Sequence, residues 1–398
     1  MATSDIFNNL LGFINSIDLN ELGELDSASF SVIKRLTMDP DMLNPSSALK
    51  LQAVLDFTYE KINIGIWKEV SPYLRKTMTV GAYLKLLIIM KGHTEITKDI
   101  LKEAYQVVDN GLLFGCPLNK EPMLLQRCAA ILNGISANIQ TEFVLDDSSL
   151  DNKKSQIYTR FKKVDRVKCP SLESFYNDYI VTETPVILTD CIDHWPALTR
   201  WKDNNYLLRL AGFRTVPIEV GRQYTDHEWT QKLMTIEDFI KNHIYKTDKR
   251  NLGYLAQYQL FDHIPELLQD ISKPDYCCFF STNDDNIDIN AWYGPKGTVS
   301  PLHQDPKKNL FTQIIGEKSV YLFPPTDTPY LYPHKEDMIN NTSVIDPRET
   351  DFKRFPQYIN ATGQHCVLRP GEMLYIPTKW WHFVESMTVS FSVSFWWT

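Results

Sequence analysis

Apolar residues recur at helical spacing up to about residue 145 and at strand spacing after it. Leu51, Val54, Leu55 and Tyr59 share one face of a helix that Ser47 is expected to cap. Ser71 and Pro72 open a second helix, which runs through Leu74, Tyr83 and Leu87. A third follows Thr97 and carries Ile100, Ala104 and Val107, and Pro122 precedes a fourth from Met123 to Ile139. Gly111, Gly115 and Pro117 are expected to punctuate the loop between the last two. Residues 1–145 therefore predict an all-α domain. Its one histidine, His93, falls in a turn, so its expected role is packing or partner binding rather than chemistry.

Residues 146–164 combine Asp146-Asp147-Ser148-Ser149 with Lys153-Lys154 and few apolar side chains, the composition of a linker. From 165 to 398 the pattern is one of short strands. Thr184–Asp190, Val216–Gly221 and Gly253–Tyr258 read as strands, with Glu219 out of phase with Ile218 and Val220 and so facing a groove or solvent. Ser171 and Thr235 each precede a short helix. Ile314 to Phe323 reads as one strand-like run that puts Lys318, Val320 and Leu322 on one face. Met373–Ile376 is a short strand between Gly371 and Pro377. Val389–Trp396 alternates strictly, with an apolar face for packing, a small polar face toward a wet site, and a packed chain end beyond it. The fold class is α+β.

Composition narrows the function without naming it. A length of 398 residues suggests two or three domains. The net charge of −8 argues against a broad nucleic-acid footprint and suits basic protein substrates. Seven cysteines without a CxxC pair predict reduced, mostly buried thiols in an intracellular protein. The N-terminus does not read as a signal peptide, and the most apolar stretch, Leu84–Met90, is too short to span a bilayer, so no membrane partner is expected. Lys162-Lys163 reads as solvated linker charge rather than an import signal. Asp284–Asp288 lacks the glycine and terminal glutamate of a calcium loop.

The chemistry concentrates in four places. His303 and Asp305 are two apart, so an extended strand aims both at one point while Gln304 turns away. They can supply two arms of a 2-His-1-carboxylate triad, which leaves iron(II) with open positions. One short strand cannot furnish the third direction, and His382, behind Trp380-Trp381, is the candidate. An inward Lys318 requires an anion, which a dicarboxylate cosubstrate would supply. His334 and His365 lack suitable partners and read as structural.

Asn290-Ala291-Trp292-Tyr293-Gly294-Pro295, Pro301-Leu302-His303-Gln304-Asp305, Gly316-Glu317-Lys318 and Gly371 to His382 resemble the JmjC dioxygenases. The resemblance implies a double-stranded β-helix, a cupin-like jelly-roll barrel with flanking helices. It also implies Fe(II), 2-oxoglutarate and O2 as cofactor and cosubstrates. By resemblance His303, Asp305 and His382 hold the metal, and Tyr254, Ser300, Asn309 and Lys318 hold 2-oxoglutarate. Glu219, Trp292 and Trp396 fall where the family contacts its substrate. Ser394 stands where related enzymes often have asparagine near the iron, which leaves its contact open. The implied substrate is a protein or peptide, chromatin-associated or ribosomal, hydroxylated on arginine. N-methyl-lysine demethylation by the same chemistry and histone-tail cleavage are alternatives, although H-E-x-x-H is absent from the sequence. An inactive barrel serving a chromatin adaptor, or a metal isomerase needing neither O2 nor 2-oxoglutarate, would be a rival of another class. A nuclear location, with cytoplasm as the second, accompanies the resemblance.

Overall fold

A computed structural model describes residues 3–66, 69–136, 160–221, 229–246, 251–279, 286–335 and 339–398. It divides into two units, Met1–Phe143 with Leu208–Thr215 and Val144–Leu207 with Val216–Thr398. Most of the expected linker lies outside the described residues, as do Asp284 and Asp285.

The first unit contains helices α1 (Thr3–Leu11), α2 (Ser27–Met38), α3 (Pro45–Ile62), α4 (Pro72–Lys91), α5 (Lys98–Phe114) and α6 (Leu124–Ser136). Helix α4 is its axis. Val80 to Met90 are buried all round except for half-buried Lys85, which explains the apolar run read there. Two expectations need correction. Asn44, not Ser47, caps α3: its Oδ1 accepts from Ser46 N at 3.1 Å, and Pro45 takes the first helical position, where its missing N–H costs nothing. Gly111 lies within α5 rather than in a loop. A Cβ there would stand 2.6 Å from Ala82 and Leu125 side-chain atoms, so glycine lets three helices approach. The helix expected after Thr97 is α5, and Thr97 caps it, its Oγ1 accepting from Ile100 N. Asp109 on α5 holds a buried ion pair with Arg214 at 2.8 Å and also accepts from Thr215 N.

The strands of the second unit are, in chain order, β1 (Lys162–Lys163), β2 (Arg166–Lys168), β3 (Val186–Thr189), β4 (Thr215–Val220), β5 (Thr230–Thr235), β6 (Gly253–Tyr258), β7 (Asp288–Gly294), β8 (Val299–Gln304), β9 (Lys308–Ile315), β10 (Lys318–Phe323), β11 (Gln364–Leu368), β12 (Met373–Ile376), β13 (Trp381–Ser386) and β14 (Ser390–Trp397). Lys162 and Lys163 are exposed, as expected, but they belong to a strand paired with β11, and Val164 beside them is buried. One sheet has the order β1-β11-β10-β13-β8 and the other β2-β3-β12-β9-β14-β7-β6-β4-β5. They enclose a shared core that includes Val320, Leu322 and Val384 from the first sheet and Tyr254, Trp292, Phe311 and Leu374 from the second. The strands form two sheets rather than one closed hydrogen-bonded barrel.

The run from Ile314 to Phe323 is two strands in different sheets. Gly316 makes the corner at φ +72°, where a Cβ would lie 2.0 Å from Val389 O, so only glycine fits. Strand β14 alternates as read, but its polar face is dry. Ser390, Ser392 and Ser394 are fully buried and bond to Ser386, Gln313 and Trp292. The opposite face packs Phe391 on Trp201, Phe395 on Trp195 and Trp397 on Tyr375. Of the seven cysteines, all free thiols, only Cys128, Cys277 and Cys366 are buried, so "mostly buried" was too strong an expectation. Among the described residues no helix is long and apolar enough to cross a membrane.

Ending the chain after Ser394 would remove Phe395 and Trp397, both at 0% exposure, and the pairing of β14 with β7 and β9 at that end. Each large aromatic is worth about 3–5 kcal/mol, and their sum rivals the 5–15 kcal/mol stability typical of a domain. This truncation should yield no cooperative thermal transition for the second unit, a result that calorimetry reads directly.

Candidate active site

The third triad arm arrives by strand pairing. Strands β8 and β13 are antiparallel, and His382 lies directly opposite His303 although 79 positions separate them. Their ring centroids are 4.2 Å apart. Asp305 follows the end of β8, where Lys379 N donates to its backbone carbonyl at 2.8 Å and ties it to the turn before β13. Asp305 Oδ2 stands 3.7 Å from His303 Nε2 and 3.5 Å from His382 Nε2. Ligand atoms of these three residues all lie within 4.8 Å of one another, the one such group found among the described residues.

The tautomers follow from the neighbours. His303 Nδ1 is 2.7 Å from Pro301 O and His382 Nδ1 is 3.0 Å from Trp380 O. A carbonyl only accepts, so both Nδ1 atoms carry hydrogen and Nε2 is the ring atom of each left to face the shared point. Burial, reinforced by the neighbouring His382, lowers His303 to about 4 and keeps its imidazole neutral. Burial would raise Asp305, but the two imidazoles outweigh it and hold the carboxyl below its ordinary value. Its buried Oδ2 has no hydrogen-bond partner. Two imidazole Nε2 atoms and an unsatisfied carboxylate oxygen on one point fit a divalent metal, with room left for further ligands.

A cavity opens on this point, lined by Trp292, Ser300, Asn309 and Trp396 as well as the three triad residues. Asn309 Oδ1 and Trp396 Nε1 are buried there without partners. Phe311, Ile376 and Val384 complete the wall. The sequence reading assigned these three no site role, although Val384 is two positions from His382 and shares its strand face.

Lys318 and Tyr254 sit behind this lining. Lys318 is 0% exposed, and its Nζ donates to Tyr254 Oη at 3.0 Å. Burial alone lowers its ammonium to about 7, with no charged neighbour acting on it. Burial, and then the charge of Glu219, pushes the Tyr254 phenol up, while a bond with Ser300 opposes them. Glu219 pairs with Tyr254 across β4 and β6 but does not line the cavity. Trp229 Nε1 donates to it at 3.2 Å, a partner no sequence signal suggested, and burial raises its carboxyl. His365 bonds Ser319 at 2.9 Å within the sheet, a structural histidine as expected.

The profile of the Cupin-like domain family matches residues 172–398, more than half of the chain. The chain belongs to this cupin-like JmjC family. It is 41% identical over 387 residues to lysine-specific demethylase 8 of Danio rerio, covering 94% of each chain. It is 37% identical over 355 residues to Jumonji C domain-containing protein 5 of Drosophila melanogaster, covering 87% of this chain and 85% of that one. Against the human bifunctional peptidase and (3S)-lysyl hydroxylase JMJD7 it is 26% identical over 260 residues, covering 58% and 82%. Enzymes of the JmjC family work with Fe(II) and 2-oxoglutarate, and the triad fits that metal.

Asp305→Ala and His382→Ala should each weaken Co(II) or Fe(II) binding by about 100-fold or more, since loss of a group merely supporting a ligand already costs 10–100-fold. Titration calorimetry of the folded variants measures this. Unchanged affinity would place the ion elsewhere.

Proposed function

We propose that this protein is an Fe(II)- and 2-oxoglutarate-dependent protein oxygenase that hydroxylates a carbon of an arginine side chain, with succinate and CO2 as coproducts. The observation that carries the reading is Lys318, a cation at 0% exposure with no charged partner beside the triad. Such a group is costly in the absence of an anion. Bound iron and 2-oxoglutarate supply, with O2, the oxidising power to break a C–H bond.

The chain's own residues position and shield. His303, Asp305 and His382 hold the metal through Nε2, carboxylate and Nε2. Lys318 and Tyr254 take the far carboxylate of 2-oxoglutarate, a charge-assisted bond strengthened by the dry wall. Ser300 and Asn309 face the cavity with hydrogen-bonding atoms for the same ligand. On the substrate side, Trp292 and Trp396 offer aromatic surface to a cation. Glu219, which Trp229 holds outside the cavity lining, is a candidate substrate contact only, and the choice of arginine over N-methyl-lysine rests on the resemblance of the sequence motifs. Demethylation is the second reading, supported by the printed name of the Danio rerio relative. Protein substrates in the nucleus, with a ribosomal or chromatin setting, and a cytoplasmic pool fit the same chemistry.

Mass spectrometry of peptides incubated with the full chain, Fe(II), 2-oxoglutarate and air separates the readings. Arginine peptides should gain one oxygen atom. Loss of a methyl group from N-methyl-lysine peptides alone would establish the demethylase, and absence of succinate with every peptide would establish a silent fold.

Lys318 also sets a pH dependence. An anion on Lys318 raises its pKa, so binding above about 7 must take up a proton, whereas below it the ammonium is already present. The Kd for 2-oxoglutarate should therefore rise by up to about tenfold per pH unit above that point and stay level below it. Calorimetry in buffers of different ionisation enthalpy counts the proton.

A further inference from the structure

Two tryptophans line the cavity, and their N–H groups have different fates. Trp292 Nε1 donates to Ser394 Oγ at 2.9 Å, whereas Trp396 Nε1 is buried without an acceptor. Ser394 is fully buried on β14, two residues before Trp396, and lies opposite Asn290 on β7 and Phe311 on β9. Trp292 also meets Phe311 edge-on, at 6.2 Å and 78°, and Tyr254 at 6.1 Å and 45°. Those contacts are apolar and tolerate some rotation of the indole. The hydrogen bond is directional and does not.

An indole N–H in so dry a wall needs an acceptor. Without Ser394, polar atoms in and around the cavity would become the alternatives, and the indole would turn its polar edge toward them. With Ser394, that edge is bound to the strand, and Trp292 lines the cavity without a free donor on its ring. We propose that Ser394 is a positioning residue that determines specificity: by holding the N–H of Trp292, it makes the indole a platform for a cationic side chain rather than a competing donor. This rests on the reading of an arginine substrate. It also gives the small residue at position 394 a role distinct from metal or cosubstrate contact.

The test uses the full chain loaded with diamagnetic zinc and 2-oxoglutarate. The nine tryptophan indole N–H signals are recorded by 15N NMR, and Trp292→Phe assigns that of Trp292. Ser394→Ala should move this signal and speed its hydrogen exchange, while Ser394→Thr, which keeps the hydroxyl, should restore both. The affinity of N-acetyl-arginine methylamide should fall about tenfold in Ser394→Ala, the factor carried by a net hydrogen bond of ordinary strength. The affinity of 2-oxoglutarate should not change. In a Trp292→Phe background, Ser394→Ala should weaken the probe no further. An unmoved Trp292 signal, or unchanged probe affinity in Ser394→Ala, overturns the proposal while leaving the oxygenase reading intact. A wild-type chain that binds 2-oxoglutarate but not the arginine probe overturns the arginine reading, and the specificity role of Ser394 with it.

Discussion

The antiparallel pairing of β8 with β13 is the constraint on which the site depends. It sets His382 opposite His303, while the carbonyls of Pro301 and Trp380, each two residues back, hold the two Nδ1 atoms. Register is strict in such a ladder, because a slip of one residue turns every side chain to the other face. A slip along β13 would send Trp381 inward and His382 into the apolar layer where Trp381 now packs with Tyr321 and Phe383. The packing of that layer therefore protects the ligand geometry as well as the fold.

A second consequence of this architecture is a dry interior with polar groups set into it. Lys318 lies among Phe311, Tyr254 and the neighbouring apolar strand residues, with rings 5.0 and 5.3 Å from its Nζ. Burying a cation there is unfavourable to folding and favourable to anion binding, for the same electrostatic reason. The serine face of β14 shows the opposite treatment. Its three hydroxyls are satisfied within the protein, so they rigidify the wall beside the cavity.

Much of this was legible from residue types and their spacing. His303 with Asp305, the inward phase of Lys318, the short strand Met373–Ile376 and the caps at Ser171 and Thr235 all follow from local rules, and the structure contains each. The misses have different causes. Asn44 displaced Ser47 because Pro45 follows it, a local competition that the apolar pattern does not register. Gly111 read as a turn residue because helix–helix approach is a property of neighbours absent from its own segment. Ile314 to Phe323 read as one strand because both halves are apolar, and only the crossing at Gly316 divides them between sheets.

By itself the sequence determined periodicity, and with it an all-α half, a β half and the kinds of donor available for metal and anion. Those are properties of residues within a few positions of one another. Tertiary structure alone decided how His382 reaches His303 and Asp305, that Trp229 supports Glu219, and that Ser394 meets an indole N–H rather than solvent. Each of these depends on which strands become neighbours, and that choice belongs to the packing of the whole unit.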